Sequence, residues 1–417
     1  MTAPPDPGDV DLVRMRSQRR ARLTAAMEEQ GLAALLLFGT SPVQYATGAQ
    51  VPTADASHGQ YLRTAALVLG GRDATGQPHL PHLFTPFPDA APPELPPDHV
   101  HPPFHPELAG GPEDVVRRLG SLLDDLGLGW PDRLAVDDLS GRLFARLPEL
   151  LPDVALADAG PVLSAAKIVK TADELRCIHR AQHLNEQAMV DVQHALRPGL
   201  RQTELSGLFL RRVFELGATG NSVDPIWQPM APSTTGGPWT THGDVAFPLV
   251  TTDRILSEGD VVWVDTGILW NGYASDFGRT WLVSDHPRPT HHQFTQFRRW
   301  KDVVDAVLAE VRPGATGGDL TRAATAADAA ARDGRQPWLS HFYLIHGVGT
   351  DSAEMPLIGT DLGPDFDESI VLSPGMVLVL EPVIWEDGHA GYRSEEIVAV
   401  TDTGYVQLSD HPYDPYG

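Results

Sequence analysis

An Asn-Gly pair at 271–272 separates two β-rich runs, Gly259-Asp-Val-Val-Trp-Val-Asp265-Thr-Gly and Tyr273-Ala-Ser-Asp276-Phe-Gly-Arg279-Thr280. This dipeptide is the strongest short-range signal for a two-residue hairpin turn, because both central positions need φ > 0 and Asn and Gly tolerate it. Fixing the turn fixes the register. Trp270 falls opposite Tyr273, Gly267 opposite Asp276 and Asp265 opposite Gly278. Asp265 and Asp276 then share one sheet face as diagonal neighbours, with Cα atoms roughly 7–8 Å apart if no bulge intervenes. Two carboxylates beside Val261 and Trp263 are costly to bury unless a cation joins them. On a polar face they would be two independent surface acids, but the flanks here are apolar.

Three later segments end in groups of the same kind. Ile345-His346-Gly-Val-Gly sets an imidazole beside two glycines, where backbone can approach closely. Val377-Leu-Val-Leu-Glu381-Pro382 is a buried-strand pattern ending in an acid, and Gly391-Tyr-Arg-Ser-Glu395-Glu396 places paired acids at the head of another strand. Each alone is weak, since a strand-end Glu is more often solvated than bound. Together they offer four carboxylates and one imidazole, an oxygen-rich set suited to divalent Mn, Fe, Co or Zn.

The 417 residues carry 31 Lys+Arg against 55 Asp+Glu, a formal net charge of −24. No Lys/Arg cluster is present to bind phosphates, so neither a nucleic-acid nor an anionic-membrane partner is expected. The basic run Arg19–Arg22 reads as a solvated helix face. Cys177 is the single cysteine, which rules out an internal disulfide; in an amphipathic helix it reads as a packing thiol. Met1–Asp11 has no apolar core after a basic start, and no run of 18 apolar residues occurs. The expectation is a cytoplasmic chain without leader or membrane span.

The first 160 residues alternate helical and strand patterns. Helices are predicted over Ser17–Gly31 and Glu113–Gly127, strands over Ala33–Phe38, Thr64–Leu69 and Leu134–Val136, and a Pro- and His-rich loop over Pro81–Pro112. A boundary falls near Gly160–Lys170, where Thr171-Ala-Asp-Glu174 forms a capping box for a long helix with Leu175, Ile178, Leu184 and Val192 on its apolar side. Beyond it the chain repeats weakly. Arg197-Pro-Gly precedes Glu204-Leu205 and a helix, and Arg312-Pro-Gly precedes Asp319-Leu320 and a helix. A true duplication would set two similar α+β halves face to face, with a site between them.

With these segments in order, the chain resembles the pita-bread metallopeptidase family of aminopeptidase P, prolidase, methionine aminopeptidase and creatinase. Gly31–Gly48, ending in Tyr-Ala-Thr-Gly, is similar to the creatinase-type N-domain. The resemblance implies an α+β architecture: a smaller α/β creatinase-like N-terminal domain over 1–165, then a pita-bread catalytic domain with internal pseudo-duplication over 166–417. It implies two divalent metal ions held by Asp265, Asp276, His346, Glu381 and Glu395, with Asp276 and Glu395 bridging, Asp265 on one ion, and His346 with Glu381 on the other. A shared hydroxide would attack an amide carbonyl while Glu381 shuttles the proton, and Arg393 would orient the carboxylates. It further implies a homodimer acting on a short peptide or another small molecule.

The match is incomplete around the metal ligands. The family's outer histidines are replaced here by Pro248 and Leu249 ahead of Asp253-Arg254, and by Ala353 seven residues after His346. His242, with Asp244 nearby, and His341 are the candidates to supply acid–base function instead, though either fits a plain loop histidine. The leading expectation is a metal-dependent hydrolase resembling Xaa-Pro peptidases. A non-peptidase enzyme on the same metals, such as a dimethylsulfoniopropionate-lyase-like C–S lyase, is the alternative, although Gly267 stands where that branch has a further acid. A non-catalytic binding protein is a third class, disfavoured because all five ligand positions are kept.

Overall fold

The computed structural model describes residues 10–51, 62–230, 251–335, 337–338, 343–412 and 416. The chain divides into two compact units, Asp11–Lys167 and a second whose body is Ile168–Gly417.

In the first unit α1 (Leu12–Glu29) starts earlier than its apolar pattern suggests, because the Asp11 carboxylate accepts the Arg14 N–H at 2.9 Å and caps it. It is followed by β1 (Ala34–Leu37), α2 (Thr40–Thr47), β2 (Ala65–Leu69), β3 (His82–Phe84), β4 (Val100–His101), α3 (Gly111–Asp125), β5 (Arg133–Val136), α4 (Gly141–Leu150), β6 (Ala155–Asp158) and α5 (Gly160–Lys167). The strands form one mixed sheet in the order β4-β3-β2-β1-β5-β6. Central β1 is buried throughout and serves two cores by alternation. Leu35 and Leu37 pack with Leu23, Met27 and Val162, whereas Ala34 and Leu36 pack with Val115, Leu119 and Leu143. The result is an α/β unit with helices on both faces. The segment expected to be loop over Pro81–Pro112 contains the short strands β3 and β4, which pair in parallel.

Those strands bring three histidines together. The His82 and His99 rings stack at 4.1 Å, and His82 Nδ1 lies 3.1 Å from His101 Nε2. Burial, reinforced by His99 and His101 and opposed by Asp98, pushes the His82 pKa down to about 4. A base depressed below its unfolded value near 6.5 contributes stability that is complete above pH 6.5 and lost as pH falls through 4. His82→Phe should therefore flatten the acid side of the thermal-stability profile between those values; an unchanged slope would show that the trio does not govern it.

The second unit opens with α6 (Ala172–Ala195), where Thr171 and Glu174 form the reciprocal capping box their spacing predicts. Then come α7 (Gln202–Glu215), β7 (Gly220–Pro229), β8 (Val261–Trp270), β9 (Tyr273–Ala274), β10 (Phe277–Leu282), α8 (His291–Glu310), α9 (Gly317–Ala331), β11 (Ile345–Gly347), β12 (Glu354–Ile358), α10 (Pro364–Ser369), β13 (Val377–Leu380), β14 (Val383–Glu386), β15 (Ala390–Arg393), β16 (Glu396–Val400) and β17 (Tyr405–Gln407). One sheet runs β10-β8-β7 with β9 beside β8, another runs β12-β11-β13-β16-β17, and β14 pairs with β15. Among the described residues no helix is long and apolar enough to cross a membrane.

The internal repeat is visible in backbone hydrogen bonds. Gly199 N donates to Leu256 O at 2.8 Å and Leu256 N to Leu200 O at 2.8 Å; Gly314 N donates to Leu372 O at 2.9 Å and Leu372 N to Ala315 O at 2.8 Å. Further on, Gly259 N reaches Val283 O at 2.8 Å as Gly375 N reaches Val400 O at 2.9 Å. Gly259 and Gly375 both hold positive φ, 86° and 91°, a conformation glycine adopts without steric cost. Each then launches a buried strand, β8 or β13, that leads to Asp265 or Glu381.

Candidate metal centre

The hairpin forms as its turn dictates. Asn271 and Gly272 both have positive φ, 48° and 76°, and Trp270 pairs with Tyr273 and Asp265 with Gly278. No bulge shifts that register, although the ladder is interrupted at Ser275–Asp276, between β9 and β10. Asp265 sits within β8, Asp276 just before β10, His346 in β11, Glu381 just after β13 and Glu395 just before β16. Asp265 thus lies mid-strand, whereas Asp276, Glu381 and Glu395 sit where strands start or end and His346 at the register shift in β11.

Ligand atoms of Asp265, Asp276 and Glu395 lie within 4.8 Å of one another, and all three residues are buried. His346 joins them through Nε2, 3.1 Å from Asp276 Oδ2 and 3.5 Å from Glu381 Oε1. Its Nδ1 lies 2.9 Å from the Gly347 carbonyl, the contact that an Nδ1–H tautomer makes while leaving Nε2 a lone pair. Arg393 is the cation set against the group. Its NH1 is 3.5 Å from Asp265 Oδ2, its NH2 is 2.6 Å from Glu395 Oε1 and bonds Glu381 Oε2, and its guanidinium lies 3.8 Å from the Trp263 ring centroid.

One guanidinium does not balance four carboxylates. Burial, then the neighbouring Asp276, pushes Asp265 up to about 7 against the pull of Arg393. The same two causes raise Glu395 well above the usual carboxylate range. For His346, burial opposes the imidazolium, but Asp276 and Glu381 outweigh it and raise the pKa. Asp265 Oδ1 and both Glu395 oxygens are buried without a hydrogen bond of acceptable geometry, the close Arg393 contact notwithstanding. Such orphaned acceptors are expensive unless something positive lies between them. The chemistry of the donor set and these orphaned oxygens fit divalent cations.

Backbone makes room for this packing. Glu395 N donates to Gly278 O at 3.0 Å, and a Cβ on Gly278 would stand 2.5 Å from the Glu395 carboxylate. Gly278→Ala must therefore displace Glu395. Affinity for Mn(II), read by calorimetric titration, should drop about 10–100-fold, the usual cost of disturbing a metal site's supporting contacts; wild-type affinity would mean that Glu395 is not a ligand.

The structure brings together all five residues singled out as ligands, together with Arg393. His242 and His341 lie outside the described residues, as do Asp244, Pro248 and Leu249. Ala353 is exposed, and its neighbour Glu354 pairs with Lys170 at 2.8 Å. Two features escaped sequence reasoning. Tyr343 packs its half-buried ring on His346 at 4.8 Å; burial, then Glu381, Asp276 and Glu395, push its phenol pKa up, so the hydroxyl stays a donor. Helix α6 also buries Gln182, Asn185 and Glu186 beside the hairpin. Polar residues recurring at helical spacing within an apolar face were the available signal.

A buried, cation-demanding carboxylate cluster in a duplicated α+β unit marks a metal-binding protein. Comparison with known proteins supplies the family. Residues 176–402 match metallopeptidase family M24, and residues 19–169 match the creatinase/prolidase N-terminal domain. The chain belongs to metallopeptidase family M24, whose members imply divalent metal ions, and it is a metal-dependent peptidase. It is 28% identical over 340 residues to a probable dipeptidase PepE of Mycobacterium tuberculosis, covering 73% of this chain and 82% of that one. It is 27% identical over 252 residues to a Xaa-Pro dipeptidase of Pyrococcus furiosus, covering 60% and 65% respectively. Its fold matches the crystal structure of an X-Pro aminopeptidase from Thermotoga maritima with a TM-score of 0.72 at 20% identity, over 95% of this chain and 99% of the other.

Proposed function

We propose that the chain is a dinuclear Xaa-Pro peptidase whose ions are held by Asp265, Asp276, His346, Glu381 and Glu395. The observation that carries this reading is the excess of buried carboxylates over cations around Arg393. Relatives named for dipeptide and Xaa-Pro cleavage support the substrate class. Carboxylates and one imidazole suit Mn, Fe, Co or Zn. Bound there, two such ions would supply Lewis acidity and would lower the pKa of a water molecule towards neutrality.

The chain's own groups do the rest. Glu381, anchored by Arg393 through one oxygen, has its other oxygen 3.5 Å from His346 Nε2 and is placed to take a proton from water and return it to the amide nitrogen as the C–N bond breaks. Tyr343 packs on His346 with its hydroxyl held protonated, and its assigned role is to donate to the oxygen of the attacked carbonyl. Tyr343→Phe keeps the ring packing and should lower kcat about 10²-fold with KM little changed; a full-rate Phe variant would remove this role.

The decisive experiment loads the full chain with Mn(II) or Co(II) and presents Xaa-Pro dipeptides and Xaa-Pro-Yaa tripeptides. Release of an amino-terminal residue is expected. Metal bound without release across the panel ends the Xaa-Pro reading, and no metal uptake ends the dinuclear one. An alkene or thioether formed from a small carboxylate would select the lyase alternative. That alternative gains nothing from Gly267, where a Cβ would collide with Ser222 Oγ. A homodimer is the proposed assembly, checked by light scattering.

A further inference from the structure

Helix α6 buries groups that a helix packed on a sheet ordinarily leaves in water. Gln182, Asn185 and Glu186 recur at i, i+3 and i+4 and are 1%, 0% and 6% exposed. Burying amides and a carboxylate is costly unless each finds partners; Gln182 and Asn185 bond to the hairpin that carries Asp265 and Asp276, and Glu186 bonds to Gln182 and to the C-terminal segment. Asn185 Nδ2 donates to Thr266 O at 2.9 Å and to Ser275 Oγ at 3.0 Å, while Thr266 Oγ1 donates to Asn185 Oδ1 at 3.0 Å. Thr266 directly follows Asp265 and Ser275 directly precedes Asp276. Asp276 N itself donates to Gln182 Oε1 at 3.2 Å. The helix thus bonds the hairpin at the break in its ladder, where Asp276 N has a side-chain acceptor in place of a strand carbonyl.

The outer end of the strip reaches the C-terminal segment. Gln182 Nε2 donates to Glu186 Oε1 at 3.0 Å, and Asp410 N donates to both Glu186 oxygens, Oε1 at 3.0 Å and Oε2 at 3.1 Å. The next residue, His411, offers its carbonyl to Arg279 NH2 at 2.9 Å, and Arg279 NH1 donates to Glu395 O at 2.7 Å. A continuous path of hydrogen bonds therefore joins the backbone of Asp276 to that of Glu395 by way of residues 410–411. Ligand carboxylates must be held to roughly 0.5 Å to keep a metal's geometry. Strand pairing alone does not do this at Asp276.

We propose that Gln182, Asn185 and Glu186 are positioning residues that set the spacing of Asp265, Asp276 and Glu395 for the metal pair, with the C-terminal segment as the outer part of the same device. The inference rests on the dinuclear reading above.

The test uses the full chain and Co(II) as probe, with affinity from calorimetric titration and coordination from the visible absorption bands. Asn185→Leu and Glu186→Leu should bind Co(II) about 10–100-fold more weakly, with altered bands. Glu186→Gln should bind Co(II) more tightly than Glu186→Leu, because it keeps one oxygen that can accept from Gln182 and Asp410 and loses only the second acceptor. Asp410→Pro deletes a single backbone donor at an exposed position and leaves the strip's side chains intact; it should also weaken Co(II) binding, and it keeps the test open if a leucine variant fails to fold. Wild-type affinity and spectrum in folded Leu variants and in Asp410→Pro would overturn the proposal, as would a Glu186→Gln variant as impaired as Glu186→Leu. A wild-type chain that takes up no Co(II) would instead overturn the metal reading on which it rests.

Discussion

Asp276→Asn is expected to lower peptide turnover by about 10³-fold or more and to reduce bound metal below two ions per chain. The substitution is isosteric and keeps one carbonyl oxygen, so packing is undisturbed, but it removes a charge from the cluster. Asp276 lies with Asp265 and Glu395 in the buried triad, and its Oδ2 is 3.1 Å from His346 Nε2. If it holds both ions as proposed, its charge would serve each of them, and a neutral amide would hold dications far more weakly than a carboxylate. Losing several kcal/mol of charge stabilisation at about 1.4 kcal/mol per decade gives the stated factor. Elemental analysis on the purified variant and steady-state rates on an Xaa-Pro dipeptide check it. Two ions retained with turnover intact would sink the bridging assignment.

How far the sequence could be read depended on the range of the interactions. Asn271-Gly272 sets its own turn within two residues, so the pairing of Asp265 with Gly278 followed directly, and Thr171 and Glu174 sign the start of α6 three residues apart. The candidate ligands were legible because each lies in a recognisable local run, three of them at a strand's start or end. The apolar side of α6 was only partly legible. Leu175 is half-buried, while Glu174 is buried and accepts the Tyr273 hydroxyl at 2.9 Å. Asn185 escaped altogether, because its partners Thr266 and Ser275 lie 81 and 90 residues away and no spacing rule links them. Tyr343 escaped for a different reason. Its value comes from the ring of His346 and the carboxylates around it, none of which a tyrosine before a short strand announces. Similarly, Asp11 started α1 by a cap that the apolar pattern inside the helix does not contain.

The electrostatics of Arg393 lead to an expectation that separates a metal site from an ordinary buried ion network. The side chain is 1% exposed and pairs with Asp265, Glu381 and Glu395. Burial works against its charge, but the three carboxylates outweigh that and raise its pKa. Removing one partner of a buried ionic group typically costs about 3–5 kcal/mol, because charges are left uncompensated. Arg393→Met fills similar volume against Trp263 without the charge and should destabilise the metal-free chain by about that amount, read by chemical denaturation. In a purely structural network the loss would be the same under all conditions. Here dications are expected to supply the missing positive charge, so saturating Mn(II) should stabilise the variant more than it stabilises the wild type and close most of the gap. Binding energy is released only on the folded side of the equilibrium, which makes the comparison a thermodynamic measure of site formation. A gap of equal size with and without Mn(II) would assign Arg393 and its carboxylates to the scaffold rather than to a metal centre.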